Sequence, residues 1–171
     1  MSTNKNINLE LDLEKIEELA KDREDKNFEF RAFLKGQDPD KIDEIVQRLN
    51  FEISNQIDCT TCGNCCMKLK PFITEQDIKS LSQRLNFSPQ QVKDDYIEID
   101  EGDQYFKNLP CSFLKVKKCT VYNDRPEDCK SFPHLHKKMF ISRLWGVIEN
   151  YSICPIVFNV FERLKTELNY K

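Results

Sequence analysis

Eight cysteines constrain the fold and chemistry of this chain more than any other feature. Four of them lie in one short run, Cys59-Thr60-Thr61-Cys62-Gly63-Asn64-Cys65-Cys66, and the others are Cys111, Cys119, Cys129 and Cys154. The N-terminal sequence is polar and acidic and carries no export signal, which predicts a cytoplasmic protein with reduced thiols. Clustered reduced thiols usually bind metal, whereas disulfides and buried apolar cysteines are the alternatives.

The spacing within the first run is typical of a metal site. Two thiolates separated by two residues can close around one ion in a tight turn, and Gly63 and Asn64 tolerate the positive φ of such a turn. Cys65 extends the run to C-x2-C-x2-C, the opening of bacterial ferredoxins, whose last cysteine precedes proline as Cys154 does here. This pattern favours an iron–sulfur cluster, but the x3 gap of ferredoxins is absent, so zinc stays open.

The adjacent pair Cys65 and Cys66 indicates a second site. Neighbouring side chains point in different directions, so we expect the two thiols to face different ions. One hypothesis divides all eight cysteines into two sets of four: Cys59, Cys62, Cys65 and Cys154 in one site, and Cys66, Cys111, Cys119 and Cys129 in or around the other. One site with spare thiols is the alternative.

The charge of the chain is unevenly distributed. A net charge of −3 argues against electrostatic binding of nucleic acid. Residues 107–143, however, carry nine Lys or Arg and only three acids. Four thiolates around Zn²⁺ leave a charge of about −2, which this basic segment could compensate. For Arg125, contact with a cluster sulfur or substrate and a structural pairing with an acid such as Asp128 are equally open.

Hydrophobic periodicity predicts a mainly α-helical fold around an irregular cysteine-rich centre. Helices are expected over residues 9–26, 39–57 and 155–168, and Thr74 and Ser88 each begin a short helix. Short strands are predicted at 96–99, 104–106 and 119–122, which allow a small β-hairpin, and a helical turn is predicted to carry Cys129. No apolar run approaches the ~18 residues of a membrane span.

These elements predict one structural domain overall. Within it, residues 1–58 form an N-terminal helical segment and residues 59–171 form the cysteine-cluster metal-binding region. The prediction rests on the absence of any internal repeat or linker composition in the sequence.

The cysteine motifs together resemble those of a known family. The resemblance rests on Cys59-x2-Cys62-Gly63-x-Cys65-Cys66, Pro110-Cys111-Ser112-Phe113-Leu114, Cys119-Thr120-Val121-Tyr122 and Arg125-Pro126-x2-Cys129-Lys130-x-Phe132-Pro133. These are similar to the motifs of the CxxCxxCC family, also called YkgJ-type cysteine cluster proteins. The family's CR-x-FP is CK-x-FP here, which keeps the positive charge. The resemblance implies a domain that chelates zinc or iron through its cysteines, and it implies no settled reaction.

Three functions are compatible with the sequence. The first is a metal-binding module whose ion orders the irregular middle of the chain; the second is an iron–sulfur redox protein or enzyme; the third is a reversible metal carrier or sensor. No carboxylate–His or nucleophile–base pair stands out, and no protein partner is indicated. We favour the first function, with zinc or an iron–sulfur cluster as cofactor and all eight cysteines as candidate ligands.

Overall fold

The computed structural model describes residues 8–171, which divide into two compact units. The first unit contains residues 8–57 and 133–171, and the second contains residues 58–132. The second unit is therefore inserted between the two parts of the first. No helix within residues 8–171 has the length and apolar character needed to cross a membrane.

The described residues contain ten α-helices and four short strands. In chain order the helices are α1 (Leu13–Asp22), α2 (Glu24–Leu34), α3 (Pro39–Ser54), α4 (Cys59–Cys62), α5 (Asn64–Lys68), α6 (Glu75–Leu85), α7 (Pro89–Tyr96), α8 (Glu127–Ser131), α9 (Leu144–Tyr151) and α10 (Pro155–Glu167). The strands are β1 (Ile97–Asp100), β2 (Asp103–Phe106), β3 (Leu114–Lys115) and β4 (Lys118–Cys119). The prediction of a mainly α fold is confirmed.

Local capping signals determine where several of these helices begin. The Asp38 carboxylate accepts a hydrogen bond from the Asp40 N–H (3.1 Å), and Pro39 follows in the first turn of α3, as predicted. The single helix predicted over 9–26 is wrong, because the chain leaves helical geometry at Arg23 (φ −106°, ψ 11°) and α2 begins after it. The final helix is confirmed as α10.

Helix α10 forms the centre of the first unit. It packs against α1, α3 and α9, and nine of its thirteen residues are buried. The buried Lys165 Nζ donates hydrogen bonds to Asn27 Oδ1 and Glu162 Oε1, both at 2.6 Å. Three rings surround the same ammonium group at 5.3–5.9 Å from their centroids: Phe30, Tyr151 and Phe161. Burial lowers the pKa of Lys165, and the hydrogen bond to Glu162 opposes this effect.

Two capping boxes begin the longer helices of the second unit, α6 and α7, and both helices start after Thr74 and Ser88 as predicted. Thr74 Oγ1 accepts from the Asp77 N–H (3.1 Å), and the Asp77 carboxylate accepts from the Thr74 N–H (2.9 Å). Ser88 and Gln91 make the same reciprocal pair before α7. Each box satisfies backbone donors that the first helical turn leaves open.

Two small antiparallel sheets complete the second unit. Ile97 pairs with Phe106 between β1 and β2, and Leu114 pairs with Cys119 between β3 and β4. The hairpin predicted from residues 96–106 is confirmed, whereas the strand predicted over 119–122 is present only at Cys119, where β4 ends. The chain turns there because the Asp124 N–H bonds the Val121 carbonyl, which closes a 3₁₀ turn.

An apolar core lies within the second unit. Its buried members are Ile73, Ile78, Leu81, Val92, Ile97, Phe106, Phe113 and Val121. The half-buried Cys111 and Cys119 pack against this core. Hydrophobic packing thus helps to fix the position of two candidate ligands.

Candidate metal centre

Seven of the eight cysteines lie in the second unit. They are placed on α4 (Cys59, Cys62), on α5 (Cys65, Cys66), in the loop after β2 (Cys111), on β4 (Cys119) and on α8 (Cys129). Cys59 is exposed and the other six are half-buried. Cys154 belongs to the first unit, where it is 6% exposed and precedes the first turn of α10.

The first cysteine run folds into two short helices joined by a glycine turn. The Asp58 carboxylate begins α4 by accepting hydrogen bonds from the Thr60 N–H (2.9 Å) and hydroxyl (2.6 Å). Gly63 then adopts φ +66° between α4 and α5. A Cβ on Gly63 would lie 3.2 Å from the Lys117 carbonyl oxygen and 3.5 Å from Leu114 Cδ1. Both the backbone conformation and the close approach therefore require glycine here.

Gly63 lies close to the β3–β4 hairpin. The turn of the hairpin has left-handed geometry at Val116 (φ 49°) and Lys117 (φ 61°), which a β-branched residue rarely adopts. The Val116 side chain is 95% exposed. The hairpin packs against α4 and carries Cys119 on β4, so the contact at Gly63 brings a distant cysteine beside the first run.

Four of the thiols form a group whose charges influence one another; we call Cys66, Cys111, Cys119 and Cys129 the four-thiol group. The Cys111 N–H donates to the Cys66 carbonyl at 2.8 Å, which joins the loop after β2 to α5. Burial, followed by the charges of the other three thiols and of Asp128, raises the pKa of Cys129 to about 12. Burial is the main cause that raises the pKa of Cys111, and the Cys66 and Cys119 thiols contribute in the same direction. These four residues come from four separate segments of the chain.

Backbone N–H groups lie beside two sulfurs of this group. The N–H groups of Phe113 and Leu114 lower the pKa of the Cys111 thiol, and that of Val121 lowers the pKa of Cys119, so both effects oppose burial. The Leu114 N–H itself donates to the Cys111 carbonyl at 2.9 Å. N–H donors of this kind stabilise metal-bound thiolates. Such N–H partners are expected from residues 107–143, but backbone groups leave no residue-type signal, so the sequence could not indicate which of them approach sulfur.

Cys65 lies at the margin of the four-thiol group. Its side chain shares a hydrogen bond with that of Cys66, and this bond, together with burial, raises the pKa of Cys66 well above its usual range. The Cys65 side chain thus influences the neighbouring Cys66 thiol, which links the first cysteine run with the group.

Arg125 lies beside both the first run and the four-thiol group. Its guanidinium stacks 3.7 Å from the Tyr122 ring centroid and donates to the Tyr122 carbonyl at 2.7 Å. Its positive charge lowers the pKa of the Cys59 and Cys119 thiols, against the stronger raising effect of burial. Arg125 is thus placed to compensate negative charge on sulfur.

The sulfurs are neighbours rather than a preassembled ligand set. Among residues 8–171, no three Cys, His, Asp or Glu side chains are gathered tightly enough to hold a metal ion. Zinc requires Zn–S distances of about 2.3 Å, so the thiols of the group have to turn inward for ligation. The donor set itself fits a soft ion: four thiols, backbone N–H donors and a nearby cation.

The sequence matches a model of one protein family. The model, CxxCxxCC, described as "Putative zinc- or iron-chelating domain", covers residues 58–151, more than half of the chain. This range contains every cysteine except Cys154. No solved structure matches the chain significantly.

Proposed function

Because the chain belongs to the CxxCxxCC family, we propose that it is a metal-binding protein whose ion is held by Cys66, Cys111, Cys119 and Cys129. One observation carries the proposal: helix α5, the loop after β2, strand β4 and helix α8 bring these four thiols within electrostatic reach of one another. Thiolates in a four-cysteine set suit either zinc or an iron–sulfur cluster.

Groups close to the four thiols can offset the negative charge of such a centre. A four-thiolate zinc site carries about −2, and burying that charge is unfavourable unless it is offset. The N–H groups of Phe113, Leu114 and Val121 lower the pKa of the Cys111 and Cys119 thiols, and Arg125 supplies a positive charge. These groups stabilise the deprotonated thiolate, which is the form of cysteine that binds metal.

The proposed role of the ion is to hold the irregular part of the second unit together. Strands β3 and β4 have two residues each, and α4, α5 and α8 have four or five. Elements this short are not stable by themselves, and an ion bound by α5, β4, α8 and the loop after β2 would order all four segments. A second site formed by Cys59, Cys62, Cys65 and Cys154 stays a prediction.

Anaerobic purification followed by metal, acid-labile sulfide and visible-absorption analysis tests the proposal. A colourless protein with one tightly bound zinc per chain supports a structural zinc site. A brown protein with matching iron and sulfide supports a cluster in the same thiols and the redox alternative. A reduced protein that holds no metal and takes up neither zinc nor iron overturns the proposal.

Substitutions identify the ligands. Cys111→Ser and Cys129→Ser should each weaken metal binding by about 100-fold or more, because each removes one of four ligands. Ser112→Ala is the matched control, since Ser112 adjoins Cys111 and its hydroxyl accepts a hydrogen bond from Asn108. Equal metal binding by Cys129→Ser and the wild type would exclude the four-thiol group as the site.

A further inference from the structure

The tip of the β3–β4 hairpin carries three lysines whose charge is not neutralised within the described chain. Lys115, Lys117 and Lys118 are all exposed. Among residues 8–171 their ammonium groups have no ion-pair or hydrogen-bond partner. Lys115 and Lys118 also lie directly opposite each other on the two strands, and like charges in that position are destabilising. The charge pattern of the tip therefore works against the stability of the hairpin.

The two residues that join the strands are also unfavourable for the turn they form. Val116 and Lys117 both have positive φ, the conformation of a type I′ turn, in which Asn-Gly and Asp-Gly are the favoured pairs. A β-branched residue in this conformation is an outlier, and Val116 is too exposed for packing within the chain to compensate. Backbone conformations of this kind are found mainly at functional sites.

The base of the hairpin is held firmly by the rest of the second unit. The Thr120 N–H and hydroxyl both donate to the Phe113 carbonyl, at 2.9 and 3.1 Å. Phe113 is buried in the apolar core of this unit. On the other side, the backbone of Lys117 lies against the Gly63 turn. The tip is thus presented on a fixed base, and a partner that binds it has little chain entropy to overcome.

We propose that residues 115–118 are a docking surface for another protein, which presents an apolar pocket surrounded by Asp or Glu carboxylates. The three ammonium groups pair with the carboxylates, and Val116 enters the pocket. Carboxylates placed between Lys115 and Lys118 remove the repulsion across the strands, and the pocket covers the exposed valine. This inference goes beyond the proposed function, because none of the four residues is a candidate metal ligand.

The composition of the tip favours an acidic protein over a nucleic acid or a membrane. Residues 115–118 contain no aromatic side chain on which a base could stack, and the net charge of −3 opposes the approach of a polyanion. One valine is a small anchor for a bilayer, where even an acyl chain needs a second signal for stable attachment. An apolar pocket with an acidic rim matches both the lysines and Val116.

Fluorescence anisotropy of a labelled acidic peptide tests the proposal with the full-length protein purified under anaerobic conditions. The probe has two central leucines with five Glu or Asp residues on each side. It should bind the wild type, and added salt should weaken the binding. A second peptide with serine in place of both leucines should bind about threefold more weakly, because Val116 then has no apolar contact.

Two variants separate docking from stability. Lys115→Glu replaces repulsion across the strands with attraction, and Val116→Asn introduces a residue that tolerates positive φ. Both should unfold at the wild-type temperature or above. Peptide binding should nevertheless weaken, by about tenfold in Lys115→Glu and about threefold in Val116→Asn. Lys79→Glu is the matched control, because Lys79 is an exposed lysine of the same unit that lies on α6, outside the hairpin.

Several results would overturn the docking surface. They are no peptide binding by the wild type, equal binding by Lys115→Glu, and an equal loss in Lys79→Glu. Tighter binding of a 12-residue oligouridylate or of phosphatidylserine vesicles would show that the tip recognises phosphate instead. A wild-type dimer that Lys115→Glu converts to a monomer would replace the separate partner with a second copy of this chain. The metal content of the protein decides the proposed function independently of all these results.

Discussion

The Asp77 carboxylate accepts a hydrogen bond from the backbone N–H of Glu127, with 3.0 Å between Oδ1 and the nitrogen. Its second oxygen accepts from the backbone and hydroxyl of Thr74. One buried side chain, 7% exposed, thus begins α6 and also holds the first residue of α8. Because α8 carries Cys129, this carboxylate positions a candidate ligand.

We expect Asp77→Ala to lower the free energy of unfolding by about 2 kcal/mol, because it leaves the Glu127 and Thr74 N–H groups without their acceptor. Urea denaturation measures the loss, and competition with a chelator should show weaker metal binding. Glu75→Ala is the control on the same helix, where the exposed ion pair with Lys93 contributes little. Equal losses in both variants would refute the positioning role.

Gly63→Ala should destabilise the second unit and weaken metal binding. The added Cβ has both a strained φ and a contact with the Lys117 carbonyl at 3.2 Å, a combined cost of about 1–3 kcal/mol. Gly102→Ala isolates the conformational part, because Gly102 has φ +94° with no atom within 4 Å of the added carbon. Thermal unfolding compares the two variants, and weaker metal binding in Gly102→Ala alone would contradict the prediction.

Lys165→Met should destabilise the first unit by about 1–3 kcal/mol at neutral pH, because Asn27 Oδ1 and Glu162 Oε1 lose a buried donor. Burial lowers the pKa of Lys165 below its usual value of 10.5. Between these two pKa values the unfolded chain binds more protons than the folded chain, so wild-type stability rises with pH there. Methionine does not titrate, so the stability of the variant does not rise in this way. In urea unfolding from pH 7 to 10, the difference in stability between the wild type and Lys165→Met should therefore grow as the pH rises. A difference that stays constant over this range would be inconsistent with a lowered pKa.

Gly146→Ala should stabilise the protein by about 0.5–1 kcal/mol. Gly146 lies inside α9, and an added Cβ would meet no atom within 4 Å. Alanine has the higher helix propensity and reduces the entropy of the unfolded chain. Denaturant unfolding of the variant checks the sign, and a loss of stability would mean that the added methyl group is not accommodated.

Metal removal should affect the two units differently. All four proposed ligands lie in residues 58–132, so chelation removes cross-links from the second unit only. Hydrogen exchange should show protection falling in that range while residues 8–57 and 133–171 keep theirs. Unchanged protection of α5, β4 and α8 after complete metal loss would show that the ion does not order these elements.

Sequence reasoning succeeded where the determinants are local. The Thr74 and Ser88 capping boxes are complete within four residues, so both helices could be predicted with their first residues. Cys59–Cys66 could likewise be identified as the start of the cysteine region from spacing alone. Each of these features depends on neighbours in the chain.

Features that depend on distant residues could not be predicted in the same way. Asn27 is buried because it accepts from Lys165, 138 positions away, and no helical period indicates that contact. The break at Arg23 separates two helices whose apolar positions follow a nearly continuous pattern. Which thiols approach one another depends on the hairpin turn that places Lys117 against Gly63. Spacing suggested the grouping of the cysteines but could not determine it.

The order of elements along the chain has a consequence for synthesis. Helix α3 is translated early but packs against α10, so its final partner leaves the ribosome only after the whole cysteine-rich insert has emerged. Every residue of the insert, by contrast, is available before α10 is made. The insert can therefore assemble on the nascent chain while α3 still lacks its partner, and thiols that bind metal at that stage are protected from oxidation before translation ends.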